Sequence, residues 1–533
     1  WSDSLMSTNE QPDAARIEAN AAAIAVNPVY ENERLAELTH WGAPWANLRV
    51  VVVGMGTSGD AVTDVLAQLG AHIVVIDGAD TPEKRERIEI YKNAYGNVEG
   101  LFGPEHMRAL PLVDGQEPEL VVTSPGVRPD HPVMLDAYER RIQIWGDVEL
   151  AWRLNERSDR PTPKWLCLTG TNGKTTTVGM VDSILKAAGK KSIQVGNVGM
   201  PIVYAIADDE PYEFFAVELS SFQLHWTYSM SPYASVVLNI AEDHVDWHGS
   251  FDGYKADKAR VYEHTQVACI FNTDHVDTLR MVENADVIEG ARAIGFSSTE
   301  MPAVSMLGLA EDIMVDRAFL KNRYNEAYEL AVLEDLAPAP GKMPAKHTVE
   351  NALAAAALCR AADIDPKAVG AGLRSFKTGA HRNQLVGYAN DIMWVNDSKA
   401  TNPHAANASM SGYPSLVWIA GGLSKGVEYD ELIAAHAQRL KAVLIIGTDT
   451  AVLKSALANH APQVPTYNMT AAVADSSDGV AVMNAAVAKA AELAHPGDTV
   501  LMAPASASMD QFKNYAVRGD AFANAVAAQL ADS

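Results

Sequence analysis

Cysteine is scarce. Three in 533 residues, Cys167, Cys269 and Cys359, are too few and too scattered for a disulfide framework or a thiolate metal cage, so each reads as a small core residue. Long apolar runs are missing too, and none reaches the length that crosses a bilayer. The N-terminus has no basic segment followed by an apolar one, so no export signal is expected and the chain reads as cytoplasmic. Positive charge is in short supply: 42 lysines and arginines stand against 67 acids, a net charge of −25. That excludes a basic face for nucleic acid, whose affinity comes from lysine and arginine, but leaves room for a nucleotide in a local pocket. What is present is ordinary for a globular protein, 48% hydrophobic and 20% charged, at a length sufficient for about three domains.

One stretch organises the rest. An apolar strand over residues 166–169 runs into Gly170-Thr-Asn-Gly-Lys-Thr175, and a helix follows. Glycines at 170 and 173 let backbone N–H groups close around a phosphate chain. Lys174 can neutralise the outer phosphates, the Thr175 hydroxyl can ligate Mg²⁺, and the helix start adds its positive dipole end. The usual pattern has a further glycine where Leu168 stands, so the loop is a shortened one.

Along the chain, residues 1–45 show no clear start, although the alanine-rich stretch 14–26 could form a short helix. Residues 48–53 read as a buried parallel strand ending in Gly54-Met-Gly-Thr-Ser-Gly59. A helix over 61–69 and a strand over 72–76 ending at Asp77 complete a Rossmann pattern, which predicts a nucleotide diphosphate at the helix N-terminus over Gly56, Thr57 and Ser58. Ser124 closes another strand, where such sheets place ligands or simply turn. The proline-bearing stretch 158–163 reads as a linker. Beyond the phosphate loop, Gly196-Asn197-Val-Gly199 forms a turn and the strand 214–218 ends in Glu218, a carboxylate placed where such folds hold Mg²⁺. The segment 241–248 is dense in possible ligands, His244 among them, and Lys258 lies on an expected helix over 254–262. Taken alone, His244 reads as a structural histidine and Lys258 as a solvated lysine; convergence on one pocket would change both readings. Residues 296–346 are poor in motifs and read as surface strands and loops, and 337–344 as irregular. Asn351 is expected to open an alanine-rich helix as its N-cap. A third unit begins near Thr378, with four strands that each end in small and polar residues, an open parallel sheet.

These motifs, in this order, resemble the Mur ligases of peptidoglycan synthesis. The resemblance runs from about Leu48 to the C-terminus. It is carried by the loop 170–175, Glu218-Leu-Ser-Ser-Phe-Gln-Leu224, Glu242-Asp-His244, His381-Arg382, Asn396-Asp-Ser-Lys-Ala-Thr-Asn402 and the block 506–515 with Arg518-Gly519. The last block is most similar to the family member that adds D-glutamate to UDP-N-acetylmuramoyl-L-alanine. The resemblance implies an α/β chain of three domains. After an N-terminal extension over 1–45, these are a Rossmann-like UDP-sugar domain over 46–157, a P-loop ATPase domain over 158–377, and a Rossmann-like amino-acid domain with an open parallel sheet over 378–533. It implies ATP held by Gly170, Thr171, Asn172, Gly173, Lys174, Thr175 and Thr176, with Asn351, Arg382 and Asp397 on the adenosine side. It implies one Mg²⁺ on Thr175 and Glu218 and a second on His244 and Lys258, with Lys258 carbamylated. That modification turns an ammonium that repels a metal into a carboxylate that binds one. Lys174, His244 and Lys258 would carry the catalysis. The muramoyl substrate would meet Gly56, Thr57, Ser58, Asp77, Ser124 and Asn197, and D-glutamate would meet Lys399, Thr401, Lys425, Ser508 and Tyr515. A monomer is expected. Gly78 and Ala79 depart from the family's uridine contacts. Another amino-acid-adding ligase, a folylpolyglutamate-type ligase, an oxidoreductase built on Gly54–Gly59 and a non-catalytic nucleotide-binding scaffold stay open as alternatives.

Overall fold

The computed structural model describes residues 28–339, 341–424 and 427–531. Strand-forming runs of valine, isoleucine and leucine alternate with helices, and the chain builds three sheets from them. In the first, β1 (Arg49–Val53), β2 (His72–Asp77), β3 (Val98–Phe102), β4 (Leu120–Thr123) and β5 (Gln143–Gly146) lie parallel in the order β3-β2-β1-β4-β5. After Arg49, β1 is all valine because both its faces are covered: Val50 and Val52 pack with Val65 and Leu66, while Val51 and Val53 pack with Val133 and Met134. Strand order reverses between β1 and β4, so the loop from Gly54 and the turn at Ser124 open side by side at the carboxyl edge. The stretch before β1 has more structure than its sequence announces. A helix over Glu33–Glu37, capped by Asn32, places Leu35 in the first core beside Leu38 and Trp45, and Arg34 pairs with Glu119 at 2.7 Å. The expected helix over 14–26 lies outside the described residues.

The second sheet has nine strands: β6 (Lys164–Thr169), β7 (Ser192–Gly196), β8 (Phe214–Glu218), β9 (Ala234–Val237), β10 (Ala268–Asn272), β11 (Arg292–Phe296), β12 (Met306–Ala310), β13 (Ile313–Asp316) and β14 (Tyr328–Val332). Their order is β14-β13-β12-β11-β10-β9-β6-β8-β7, with β12, β13 and β14 joined antiparallel. The motif-poor region is thus a continuation of the sheet, and Leu307, Met314 and Leu330 join its core. A fully buried ion pair, Asp316 to Arg360 at 2.9 Å, fastens it to the helix Lys346–Ala361. That helix begins five residues before Asn351, at the end of the proline-interrupted stretch, so Asn351 is not an N-cap; it lies buried one turn in. Its alanines let it pack closely on the helix Lys174–Ala187.

The third sheet comprises β15 (Gln384–Ala389), β16 (Ile392–Asn396), β17 (Leu416–Gly421), β18 (Leu440–Ile446), β19 (Thr466–Asn468) and β20 (Thr499–Met502), ordered β15-β16-β20-β17-β18-β19. Only β15 runs antiparallel, at the edge. The first two units share one apolar cluster that runs from Val50 and Leu150 to Ile202 and Val217. The third meets the second largely through polar contacts, among them Asn172 Nδ2 to His404 Nδ1 at 3.1 Å and Asn383 Nδ2 to His347 Nε2 at 3.3 Å, and takes Ala339 into its own apolar core.

Candidate functional site

The phosphate loop leaves β6, an interior strand of the second sheet between β9 and β8, and turns at Gly173 with φ +80°. A Cβ there would stand 2.3 Å from Asn351 Oδ1, so glycine is needed both for the left-handed backbone and for the close approach of the neighbouring helix. The Lys174 ammonium rests on the carbonyls of Gly170 and Thr171 at 2.8 and 3.0 Å. Burial pushes its pKa down, and Glu218 and Asp243 oppose the shift. Thr175 Oγ1 donates to Glu218 Oε2 at 2.8 Å, and Asn197 Nδ2 donates to Glu218 Oε1 at 2.9 Å. Glu218 is buried at the tip of β8, where the sheet aims it at the loop.

Lys258 is no solvated lysine. It is 2% exposed, lies over the Tyr254 ring, and donates to Thr169 Oγ1 at 3.1 Å and to Gly170 O at 2.9 Å. Burial first, and then the neighbouring Lys174, push its pKa well below the usual lysine value. His244, with φ +50°, caps the short helix Val245–His248; its half-exposed ring packs on Phe222, with centroids 4.8 Å apart. Among the described residues no group of three or more histidine, cysteine or acidic side chains forms a metal cage. The oxygen donors at hand are the Thr175 hydroxyl and the Glu218 carboxylate, a hard pair that suits Mg²⁺ when phosphate oxygens complete the shell.

The third unit closes the far side. Arg382 acts on the pKa of Lys174, and its Nη1 is buried without a hydrogen-bond partner among the described residues. Asp397 accepts from Asn383 N at 3.1 Å and from the Ser409 hydroxyl, yet burial pushes its pKa up to about 6. Between the two units, beside Thr176, lies a cavity of about 720 Å³ lined by Thr348, His347, Phe376, Asn383 and Tyr413. Burial holds His347 neutral, with its pKa down to about 4.

At the edge of the first sheet, Ser124 Oγ donates to Gly54 O at 3.0 Å, and a Cβ at Gly59 would meet Gly54 O at 1.8 Å. Gly56 N-caps the helix Thr57–Gln68, and Ser58 Oγ donates to the buried Asp147 at 2.9 Å. Asp77 accepts from the Met55 and Ala79 amides at 2.7 and 2.8 Å and pairs with Lys84 at 2.6 Å. In the third unit, Lys399 lies over the Tyr515 ring at 4.3 Å and its carbonyl accepts from Thr401 N. Ser508 is buried next to Ala507, which pairs with Leu423; Lys425 lies outside the described residues.

The structure therefore brings Gly170–Thr175, Asn197, Glu218, Lys258, Asn351 and Arg382 around one loop. The residues of the first sheet edge and the Lys399–Tyr515 pair form two further groups. Sequence reasoning missed several partners. Lys84 covers Asp77, Asp147 holds Ser58, and Tyr254 bonds to Thr171 Oγ1 at 3.0 Å. It also missed a buried His225–Asp257–His248 knot, in which burial lowers the His248 pKa while the two imidazoles, outweighing burial, lower that of Asp257. One signal was available: Tyr254 and Lys258 are four residues apart, one face of a helix.

Comparison with known proteins agrees with this geometry. Three family models match in order: the Mur ligase MurD-like N-terminal domain over 48–146, the Mur ligase middle domain over 168–359 and the Mur ligase glutamate ligase domain over 381–506. The UDP-N-acetylmuramoylalanine–D-glutamate ligase of Leifsonia xyli is 46% identical over 93% of this chain and 95% of its own length. The ligases of that name from Streptomyces avermitilis and Mycolicibacterium smegmatis are 47% and 42% identical, each over 90% of this chain and over 98% and 97% of their own lengths. A solved MurF ligase from Thermotoga maritima in complex with ADP shares the fold with a TM-score of 0.51 at 15% identity, covering 93% of this chain and 99% of that one. With a shortened phosphate loop between two further α/β units, each matched by its own domain model, the chain belongs to the Mur ligase family.

Proposed function

We propose that this protein is an ATP-dependent ligase that joins D-glutamate to UDP-N-acetylmuramoyl-L-alanine, a step in making the peptidoglycan precursor. The relatives named for that reaction match over nearly their whole length. The observation that carries the chemistry is the convergence of Lys174, Thr175, Glu218 and Lys258 on a single glycine loop.

A carboxylate is a poor acyl donor, because its charge resists attack by an amine. Phosphorylation removes the obstacle. The alanyl carboxylate attacks the γ-phosphorus of ATP, the new O–P bond forms as the bond to ADP breaks, and an acyl phosphate results. Lys174, which now rests on the Gly170 and Thr171 carbonyls, is placed to follow the charge on the moving phosphoryl group. Bound Mg²⁺ supplies further neutralisation of that charge. Thr175 and Glu218 would hold one ion; His244 and a carbamylated Lys258 would hold a second. The neutral amine of D-glutamate then attacks the acyl carbon, inorganic phosphate leaves with the electrons of the C–O bond, and the nitrogen gives up its extra proton to a base or to the departing phosphate. Thr176, Asn351, Arg382 and Asp397 are assigned to the nucleotide, with the cavity beside Thr176 receiving its nucleoside end. Gly56, Thr57, Ser58, Asp77, Ser124 and Asn197 are assigned to the UDP-sugar substrate, and Lys399, Thr401, Lys425, Ser508 and Tyr515 to D-glutamate. Domain limits of 46–157, 158–377 and 378–533, a monomeric state and a cytoplasmic location belong to the same proposal. No helix among the described residues is long and apolar enough to cross a membrane.

The deciding assay is phosphate release from ATP with UDP-N-acetylmuramoyl-L-alanine and, in turn, D-glutamate, L-glutamate, L-alanine or diaminopimelate. Release is expected only with D-glutamate. Release with a different amino acid would reassign the acceptor, and none with any would remove the ligase reading.

A further inference from the structure

We propose that Asp257 is a positioning residue for phosphate transfer, because its carboxylate ties together the three segments that carry Glu218, His244 and Lys258. The inference rests on the metal-site reading above. Glu218 ends β8, and the helix that follows, Ser221–His225, ends in His225. His244 precedes the helix Val245–His248, which ends in His248. Lys258 directly follows Asp257 on the helix Phe251–Ala259. Each segment is thus anchored once to the same buried acid. His225 Nδ1 lies 2.9 and 3.0 Å from the two Asp257 oxygens, and His248 Nδ1 lies 2.7 Å from Oδ2. His248 Nε2 meets Ser221 Oγ at 2.9 Å, which closes the ring between the first two segments.

The knot is built, not incidental. His225, His248 and Asp257 are 1%, 3% and 7% exposed, and Arg260 Nε stands 3.5 Å from the carboxylate. Both imidazoles present an N–H to the acid, so each ring is fixed in tautomer and orientation. Phe222 fills the space between the segments, with its ring centroid 4.8 Å from that of His244, 4.7 Å from that of Trp247 and 5.6 Å from that of His248. Asp257 makes no hydrogen bond to the phosphate loop, whereas its neighbour Lys258 donates to Thr169 and Gly170 from a different face of the helix. Its influence on the reaction therefore passes through the geometry of the three side chains it ties.

The test uses the full chain with Asp257→Asn, read by Mn²⁺ binding in the presence of ADP (electron paramagnetic resonance), by kcat and KM for D-glutamate, and by Tm. Asn keeps the volume but removes the charge and turns one acceptor oxygen into an NH2 that opposes the imidazole N–H groups. The expected result is a loss of about 10- to 100-fold in Mn²⁺ affinity and in kcat, the scale on which outer partners of metal ligands act, with the KM for D-glutamate changed less than about 3-fold. His248→Asn, which keeps a donor near the place of Nδ1, should hold Mn²⁺ affinity within about 3-fold of the parent, while His248→Ala falls with Asp257→Asn. If Asp257→Asn does not fold, the His248 pair decides alone. Native Mn²⁺ affinity and kcat in Asp257→Asn, or equal behaviour of His248→Asn and His248→Ala, overturns the proposal. Glu218→Ala and Lys258→Ala separate it from its premise: native turnover in those two variants removes the metal site itself, whereas their inactivity beside an unaffected Asp257→Asn removes only the knot's role.

Discussion

Two glycine turns, each between a buried strand and a helix, serve this molecule, and they differ in what surrounds them. At Gly54–Gly59 the nearby acids already have partners, Asp147 in Ser58 and Asp77 in Lys84. Ser124 bonds to Gly54 O, and the acid at the end of β2 is already taken by the Met55 and Ala79 amides and Lys84. Burial alone would raise the Asp77 pKa, but those partners outweigh it and hold the carboxyl below its usual range. At Gly170–Thr175 two lysines with depressed pKa values share one loop, a carboxylate faces them through Thr175, and Arg382 approaches from another unit. Under the proposed function, the first turn would hold a phosphate-bearing substrate unchanged and the second would stabilise charge that moves. The same backbone solution supports both tasks, and the side chains around it decide which one is performed.

The contrast can be broken most severely at Lys174. Lys174→Ala should cost about 10³-fold in kcat for phosphate release while the KM for the UDP-sugar stays near the parent's, as removal of a charge-following donor predicts; initial-rate kinetics check both. Next come the glycines. Gly173→Ala forces a left-handed residue against Asn351 and should weaken ADP binding about 10- to 100-fold by calorimetry, because the left-handed strain and the displaced asparagine each cost on the order of 1–2 kcal/mol. Gly59→Ala, with its Cβ 1.8 Å from Gly54 O, should instead raise the KM for the UDP-sugar and leave ADP affinity alone.

A second comparison concerns two acids. Asp397 has its pKa raised to about 6, so its ionised form destabilises the nucleotide-free fold above that pH, and the penalty is relieved as pH falls towards the unfolded value near 4. Asp397→Asn should therefore raise the unfolding free energy at pH 7.5 by up to about 3 kcal/mol, with no gain near pH 4, by denaturant titration at both. Asp77, held low, behaves in the opposite sense: its contribution is present at neutral pH and disappears on acidification. Smallest of all, Lys84→Met should change the KM for the UDP-sugar by less than about 5-fold and spare kcat, since a partly exposed ion pair contributes little.

Much of the frame could be read directly. Continuous apolar runs marked β1, β6, β8 and β17, and the glycines after β1 and β6 announced their turns. Short strands escaped: β3, Val-Glu-Gly-Leu-Phe, is half-exposed at an edge, and β5 has four residues, so neither carries a periodic pattern. The region of β12–β14 was read as surface strands and loops; its place in the core escaped because those core faces are supplied by a helix that follows them in the chain, Lys346–Ala361. At the site, motif positions were legible and their partners were not. Ser58 and Asp147 stand 89 residues apart, and His225 and Asp257 stand 32 apart; no local spacing encodes such pairs.

The apolar cluster common to the first two sheets also bears on how the chain comes apart. A core that belongs to both cannot be exposed for one alone, so heat should melt residues 33–375 as one cooperative block and the third unit, whose apolar clusters take only Ala339 from that block among the described residues, as another. Calorimetry would then record two transitions from three sheets.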